Sequence, residues 1–184
     1  SEFGQWNEWH YEHSLDWHLL DPEQDYSAPH IQLQHYFKEA NAFYLAHSEL
    51  WEQDFTWQGF QWLCVDDNQG NCAAILRWNR KGKFLAMLYN FSPVHRDGYR
   101  MGVPVPGRYE VLLNTDDGAY GGQGLGDKAP LKSEYIPCHG QDQSIAVDLP
   151  PMSAVFLTCT KKFPPRRKKT EEPRDTGRGG SGSS

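Results

Sequence analysis

A chain of 184 residues can bury one ordinary core and carry some appendages. Its 38% hydrophobic and 14% aromatic residues, including seven Trp, nine Tyr and nine Phe, exclude a disordered protein. A net charge of -6 argues against a nucleic-acid binder, which needs clustered Lys and Arg, and no apolar run of about eighteen residues is present to span a membrane.

Residues 1–26 have no steady period and are crowded with Trp, His and acidic side chains, the pattern of a long functional loop. Ser27-Ala28-Pro29 supplies a helix start, with Ser27 as a cap and Pro29 in the first turn. Leu33, Phe37, Ala40 and Tyr44, with Tyr36 beside them, then lay an apolar stripe on a helix ending near Ser48. After Trp57-Gln58-Gly59 the period becomes two. Strands are expected over 60–65 and 72–78, joined as a hairpin by the turn 66–70, and over 84–91, 98–103, 108–113, 144–149 and 153–160. Seven short strands between Gly, Pro and Asp/Asn turns predict a mainly β, antiparallel sandwich. Residues 116–132 are Gly-rich and read as a long loop. From Phe163 onward Pro, Arg, Lys, Glu, Gly and Ser predominate, so 163–184 is expected to be a disordered tail, with Arg166-Arg167-Lys168-Lys169 a solvated run or a contact for an anionic partner.

Several chemistries find little support. Cys64, Cys72, Cys138 and Cys159 contain no C-x-x-C pair, which speaks against zinc; Cys64 and Cys72 bracket the first hairpin, and buried reduced thiols are expected. Gly121-Gly122-Gln123-Gly124-Leu125-Gly126 is followed by no helix, so it is a flexible loop rather than a phosphate cradle. Asp66-Asp67-Asn68-Gln69-Gly70 lacks the downstream Glu of a calcium loop, and His10 and His13 lack a third ligand. No metal and no cofactor are expected. Retaining glycosyl transfer needs two carboxyl groups about 5–5.5 Å apart, and no spacing singles out a pair among Glu2, Glu8, Glu12 and Asp16. The cluster of Trp6, Trp9 and Trp17 among Gln5, Asn7, Glu8 and Asp16 suits a sugar face and its hydroxyls, and equally suits packing of the loop on its own protein. Trp17 leans to packing, because Leu15, Leu19 and Leu20 surround it.

Glu2-Phe3-Gly4-Gln5-Trp6-Asn7-Glu8-Trp9, Leu15-Asp16-Trp17-His18-Leu19-Leu20, Asn90-Phe91-Ser92-Pro93-Val94, Tyr99 to Pro104 and Leu113-Asn114-Thr115-Asp116 closely resemble the C-terminal part of bacterial glycogen (1,4-alpha-glucan) branching enzymes of the alpha-amylase superfamily. The resemblance implies a fold in which residues 1–52 are the last loop and helix of a truncated (β/α)8 barrel, and 53–162 an alpha-amylase-type C-terminal all-β domain. It implies an activity that cuts an α-1,4-glucan and transfers the segment to a 6-hydroxyl. The family's nucleophile, acid/base and stabilising carboxylates lie on earlier barrel strands, so no catalytic residue is expected here. Loops at the C-terminal ends of barrel strands line the active site, which makes Glu2, Gln5, Trp6 and Trp9 the candidate substrate-binding residues. The expected partners are α-glucan (glycogen or amylose) and the missing N-terminal barrel, with no nucleic acid and no membrane, in the bacterial cytoplasm. A free-standing carbohydrate-binding or interaction module is the alternative. Because the helix stripe would face a barrel, amides of the first fifty or so residues are expected to exchange faster than those of the sandwich; equal protection by hydrogen exchange would contradict this.

Overall fold

The computed structural model describes residues 2–164. From Phe60 onward the described residues form eight strands: β1 (Phe60–Asp67), β2 (Cys72–Trp78), β3 (Phe84–Asn90), β4 (Arg96–Val103), β5 (Gly107–Asn114), β6 (Leu131–Lys132), β7 (Gln143–Leu149) and β8 (Ser153–Lys162). They form a six-stranded sheet in the order β1-β2-β3-β8-β5-β6 and a two-stranded sheet, β4-β7, all paired antiparallel. Alternation buries Ala74 and Leu76 of β2, Phe84, Ala86 and Leu88 of β3, Tyr109 of β5, and Val155 and Leu157 of β8 in one core with Met101 and Val103 of β4 and Ile145, Val147 and Leu149 of β7. This is the expected antiparallel sandwich, and the core is formed by the two facing sheets.

β6 lies inside the stretch expected to be loop. Leu131 and Lys132 pair with Tyr109 and Arg108 of β5, and two residues later Glu134 exchanges both backbone bonds with Ser144 of β7 (2.8 and 3.0 Å). The segment therefore crosses from one sheet to the other and stitches their edges together. The preceding Gly-rich stretch is organised by one carboxylate. Asp116 accepts the N–H of Gln123 through Oδ1 (3.1 Å) and of Leu125 through Oδ2 (3.0 Å), while its carbonyl accepts from Gly124 (2.7 Å). Asn114 Nδ2 donates to Leu125 O (2.7 Å), which closes the loop on the end of β5. At the first hairpin Asp67 does similar work, taking the Gly70 N–H on Oδ1 (2.7 Å) and the Tyr99 hydroxyl on Oδ2 (2.8 Å). Cys64 and Cys72 are both buried free thiols, but the register pairs them with Ala74 and Asp67, not with each other.

The helix α1 (Ser27–Ala46) begins where expected, with a different start. Ser27 is its first residue rather than its cap; the Ser27 N–H donates to Gln24 O (3.1 Å) in the preceding turn, so no side-chain cap is needed there. Its packing face is also rotated. Phe43 meets Phe156 of β8 edge to face (5.5 Å) and Tyr36 meets Tyr120 (5.4 Å), whereas Tyr44 is 46% exposed. The helix thus lies on the outer face of the large sheet, the side on which Leu85 and Met87 of β3 are buried apart from the sandwich core.

Residues 48–59 fasten helix to sheet. Arg77 of β2 donates to Leu50 O (2.9 Å) and Asp54 Oδ1 (2.7 Å), Asn79 Nδ2 donates to Ser48 Oγ (3.1 Å), and the Arg80 N–H reaches Glu52 (3.1 Å). Glu49, 1% exposed, has Lys83 Nζ 3.0 Å from Oε1 in a charge pair without hydrogen-bond alignment. The strap turns so tightly that a Cβ on Gly59 would lie 2.1 Å from Gln53 O. At the far end, Phe163 N donates to Pro106 O (2.8 Å) and Pro164 O accepts from Tyr135, so contact with the sandwich extends into the start of the expected tail; its remainder, 165–184, lies outside the described residues.

Two truncations separate core from surface. Leu157→Ala, at a fully buried position, is expected to cost about 2–5 kcal/mol. Leu45→Ala, on the open side of α1 at 73% exposure, should stay within about 0.5 kcal/mol. Urea unfolding of the two variants measures both.

Candidate functional site

The opening loop folds back on the start of α1. Phe3 is buried and stacks on Trp17 (5.4 Å between centroids, 24° between planes), and its carbonyl accepts from His30 Nδ1 of α1 (2.7 Å), which places that ring's proton on Nδ1. Gly4 then takes a left-handed turn (φ 66°), with Leu33 of α1 so near that a Cβ would stand 3.2 Å from its Cδ2. Leu19, in the short turn Trp17–Leu20, is fully buried and anchors the loop's other end.

Between these anchors the loop is closed by a clasp. Asp16 Oδ2 accepts the backbone N–H of Asn7 (3.1 Å), and Asn7 Nδ2 donates to Asp16 Oδ1 (3.0 Å). Gln5 Nε2 donates to Asn7 O (2.8 Å) within the same turn. The Asn7 backbone bond, followed by the Asn7 side-chain bond, holds the Asp16 carboxyl below the ordinary carboxylate value. Asp16 is therefore committed to shaping the loop.

The clasped loop separates two open grooves. One, of ≈ 500 Å³, is lined by Glu2, Gln5, Asn7, Glu8, Trp9 and Trp17, among others. The second, of ≈ 520 Å³, has Asn7, Glu8, His10, His13 and Asp16 among its walls. Of the four candidate substrate-binding residues, Glu2, Gln5 and Trp9 come together in the first groove. Trp6 points elsewhere: its ring packs on Tyr26 (5.3 Å), His18 (5.9 Å) and His30 (5.9 Å), which joins the loop to the helix start. Trp9 is 74% exposed and offers a ring face to solvent or to a ligand. Glu8 belongs to both grooves and was not singled out by the sequence, where four loop acids looked alike. The His10 and His13 rings lie 4.8 Å apart, and among the described residues no group of His, Cys, Asp or Glu is arranged to hold a metal ion. No described helix is long and apolar enough to cross a membrane.

The β-rich half has a recognisable pedigree. A family model described as the alpha amylase C-terminal all-beta domain matches residues 62–160, more than half of the chain. The chain belongs to that family. As a member of it, the protein has its matched region running from within β1 to within β8, so the match is the sandwich itself. It is also similar to the 1,4-alpha-glucan branching enzyme GlgB of Pseudomonas putida, at 41% identity over 157 residues, covering 85% of this chain and 20% of the relative. The enzyme of the same name from Pseudomonas fluorescens is 42% identical over 157 residues with the same coverage. The resemblance expected from the motifs is thus borne out, and at 157 residues it extends beyond the region 62–160. The chain spans about a fifth of the length of the curated relatives it matches.

The clasp has a pH dependence of fixed sign. Since Asp16 titrates below its usual 3.8 when folded, its contribution is complete above that value and is lost as pH falls through the lowered one. The Asn7 side-chain amide resonance, read by NMR, should keep its bound position through the ordinary carboxylate range and shift only below 3.8. In Asp16→Ala the altered signal should already be present at pH 7.

Proposed function

We propose that this chain forms the C-terminal part of a 1,4-alpha-glucan branching enzyme, which transfers an α-1,4-glucan segment to a 6-hydroxyl and so creates an α-1,6 branch. The observation that carries the proposal is 41–42% identity over 85% of the chain to relatives of that name, combined with membership of the alpha amylase C-terminal family. In this reading residues 1–52 belong with a catalytic barrel and 53–162 form the supporting β domain. Glu2, Gln5 and Trp9 form one rim of the glucan cleft, with Trp9 as the stacking surface, Glu2 reaching sugar hydroxyls and Gln5 holding the turn through Asn7 O. Trp6 acts through the loop's seating on α1.

The chemistry itself needs a carboxylate nucleophile and a carboxylic acid flanking the scissile bond. Asp16 is engaged by Asn7, and Glu12 Oε1 accepts from Tyr11 (3.1 Å), so these two loop acids serve the loop's own structure. In this reading the reacting groups come from the barrel, and the chain alone is expected to lack branching activity. Cys64, Cys72, Cys138 and Cys159 as free thiols fit the reducing bacterial cytoplasm in which we place the enzyme.

A chimera tests the reading directly. The corresponding C-terminal residues of the Pseudomonas putida branching enzyme would be replaced by this chain, and new α-1,6 linkages on amylose counted after debranching. Branch formation is expected from the chimera and none from the 184-residue chain alone. A folded chimera that makes no branches, or a lone chain that makes them, would end the proposal. Trp9→Ala in the chimera should raise KM for amylose about three- to tenfold, the range of a lost ring contact.

A further inference from the structure

The wall between the two opening-loop grooves is one piece of chain held by polar bonds. Gln5, Asn7, Glu8 and Leu15 line both grooves, so they form the partition itself. No residue from 6 to 14 is buried, and apolar burial therefore anchors only the two ends of the stretch, at Phe3 and Leu19. Between those anchors the course of the backbone depends on hydrogen bonds.

Asn7 ties the partition together. Its N–H donates to Asp16 Oδ2 (3.1 Å), its Nδ2 donates to Asp16 Oδ1 (3.0 Å), and its carbonyl accepts from Gln5 Nε2 (2.8 Å). Asp16 stands on the anchored side. Its carbonyl accepts the N–H of the fully buried Leu19 (2.9 Å), and its neighbour Trp17 stacks on the buried Phe3 (5.4 Å). A seated carboxylate thus reaches across nine positions of sequence to an exposed amide. The Asn7 bonds hold its pKa below the ordinary value, so at neutral pH it is ionised and only accepts, which matches the two Asn7 donors. Glu8 follows Asn7 directly and Trp9 comes next, so a rotation of the Asn7 peptide is transmitted to both.

We propose that Asp16 is a positioning residue for the glucan cleft: acting through Asn7, it fixes the partition between the two grooves and so directs the Trp9 ring into the groove shared with Glu2. Asp16 acts on the loop rather than on the sugar. The inference rests on the branching-enzyme reading for the reaction, and on the loop's own bonds for the coupling of Asp16 to Trp9. Loss of the clasp merges the grooves and leaves the ring without a fixed orientation. Glucan is then bound less well in ground state and transition state alike, while the chemical step, performed by other groups, is unchanged.

Two measurements test this. In the full 184-residue chain, Asp16→Ala is expected to shift the indole N–H resonance of Trp9 and the side-chain amide of Gln5, and to keep the parental melting temperature because the clasp is exposed. In the chimera with the Pseudomonas putida enzyme, the same substitution should raise KM for amylose about three- to tenfold with kcat within about twofold. Asn7→Asp, which sets two carboxylates against each other, should act alike. The double variant Asn7→Asp/Asp16→Asn restores one pairing of carboxylate and amide, and should return the Trp9 resonance and KM towards the parental values. A general folding defect would instead lower the melting temperature and would survive the exchange. A Trp9 resonance or a KM that Asp16→Ala leaves within experimental error overturns the proposal, as does a double variant no better than Asn7→Asp. The two readings fail separately: a branching parental chimera whose KM ignores the clasp removes the positioning role alone. A parental chimera that makes no branches removes the branching assignment, and with it the reaction that the clasp serves, whatever the Trp9 resonance shows.

Discussion

The guanidinium of Arg77 joins the two halves of this molecule. Held on β2, next to the edge strand β1, it reaches Leu50 O and Asp54 Oδ1 in the strap that follows α1. The strap carries few apolar contacts of its own, and its polar backbone must be satisfied where it crosses the sheet. Asn79, Arg80 and Lys83, from the β2–β3 turn, complete the attachment, with Lys83 balancing the buried Glu49 carboxylate. Loss of Arg77 would leave the Glu49 and Leu50 carbonyls without their donor, whereas the half-exposed Asp54 carboxylate would turn to water. Upstream of this joint α1 rests on β8 through Phe43 against Phe156, and in turn receives Phe3, Gly4 and Leu19 of the opening loop.

The residues that carry the family resemblance mostly have structural duties in the sandwich. Asn114, Thr115 and Asp116 close the Gly-rich loop, tie it to Ala154 of β8 and present Tyr120 to α1. Asn90 and Ser92 knot the turn after β3, and Tyr99 braces the first hairpin through Asp67. Gly102 passes so near the 138–141 turn that a Cβ would lie 2.2 Å from Cys138 O, a close approach that excludes a side chain. A motif of this kind marks a backbone arrangement, and its bearing on function comes through what that arrangement holds in place.

Two kinds of aromatic surface emerge from that frame. In the opening loop, Trp6 and Trp17 help to seat the loop while staying more than half exposed, and Trp9 lies beside Glu2 and Gln5 in the groove that Trp17 also lines. Across α1, the Tyr89 and Phe91 pair arises because a strand projects alternate residues to one side, and α1 covers that side incompletely. The helix contributes Gln34 to the groove of Glu2 and Trp9, and Leu33 with Tyr36 to a groove of ≈ 430 Å³ beside Tyr89 and Phe91.

Local pattern was enough for the sandwich. Period-two alternation bounded by Gly, Pro and Asp turns determines strands nearly independently of their surroundings, and seven of the eight were legible at close to their true limits. β6 was not, because two residues carry no period and only pairing with β5 makes Leu131–Lys132 a strand. The helix was legible as a helix, but its face was not: positions 33, 37, 40, 44 and 33, 36, 40, 43 satisfy a 3.6-residue repeat equally, and contact with Phe156 and Tyr120 selects the second. In the loop, composition showed that rings and short polar groups suited to sugar were present, and could not divide them between packing and recognition. That division belongs to tertiary structure, since the Asn7–Asp16 clasp spans nine residues without a repeat, and Trp6, still 63% exposed, packs on Tyr26 and His30 at the start of α1.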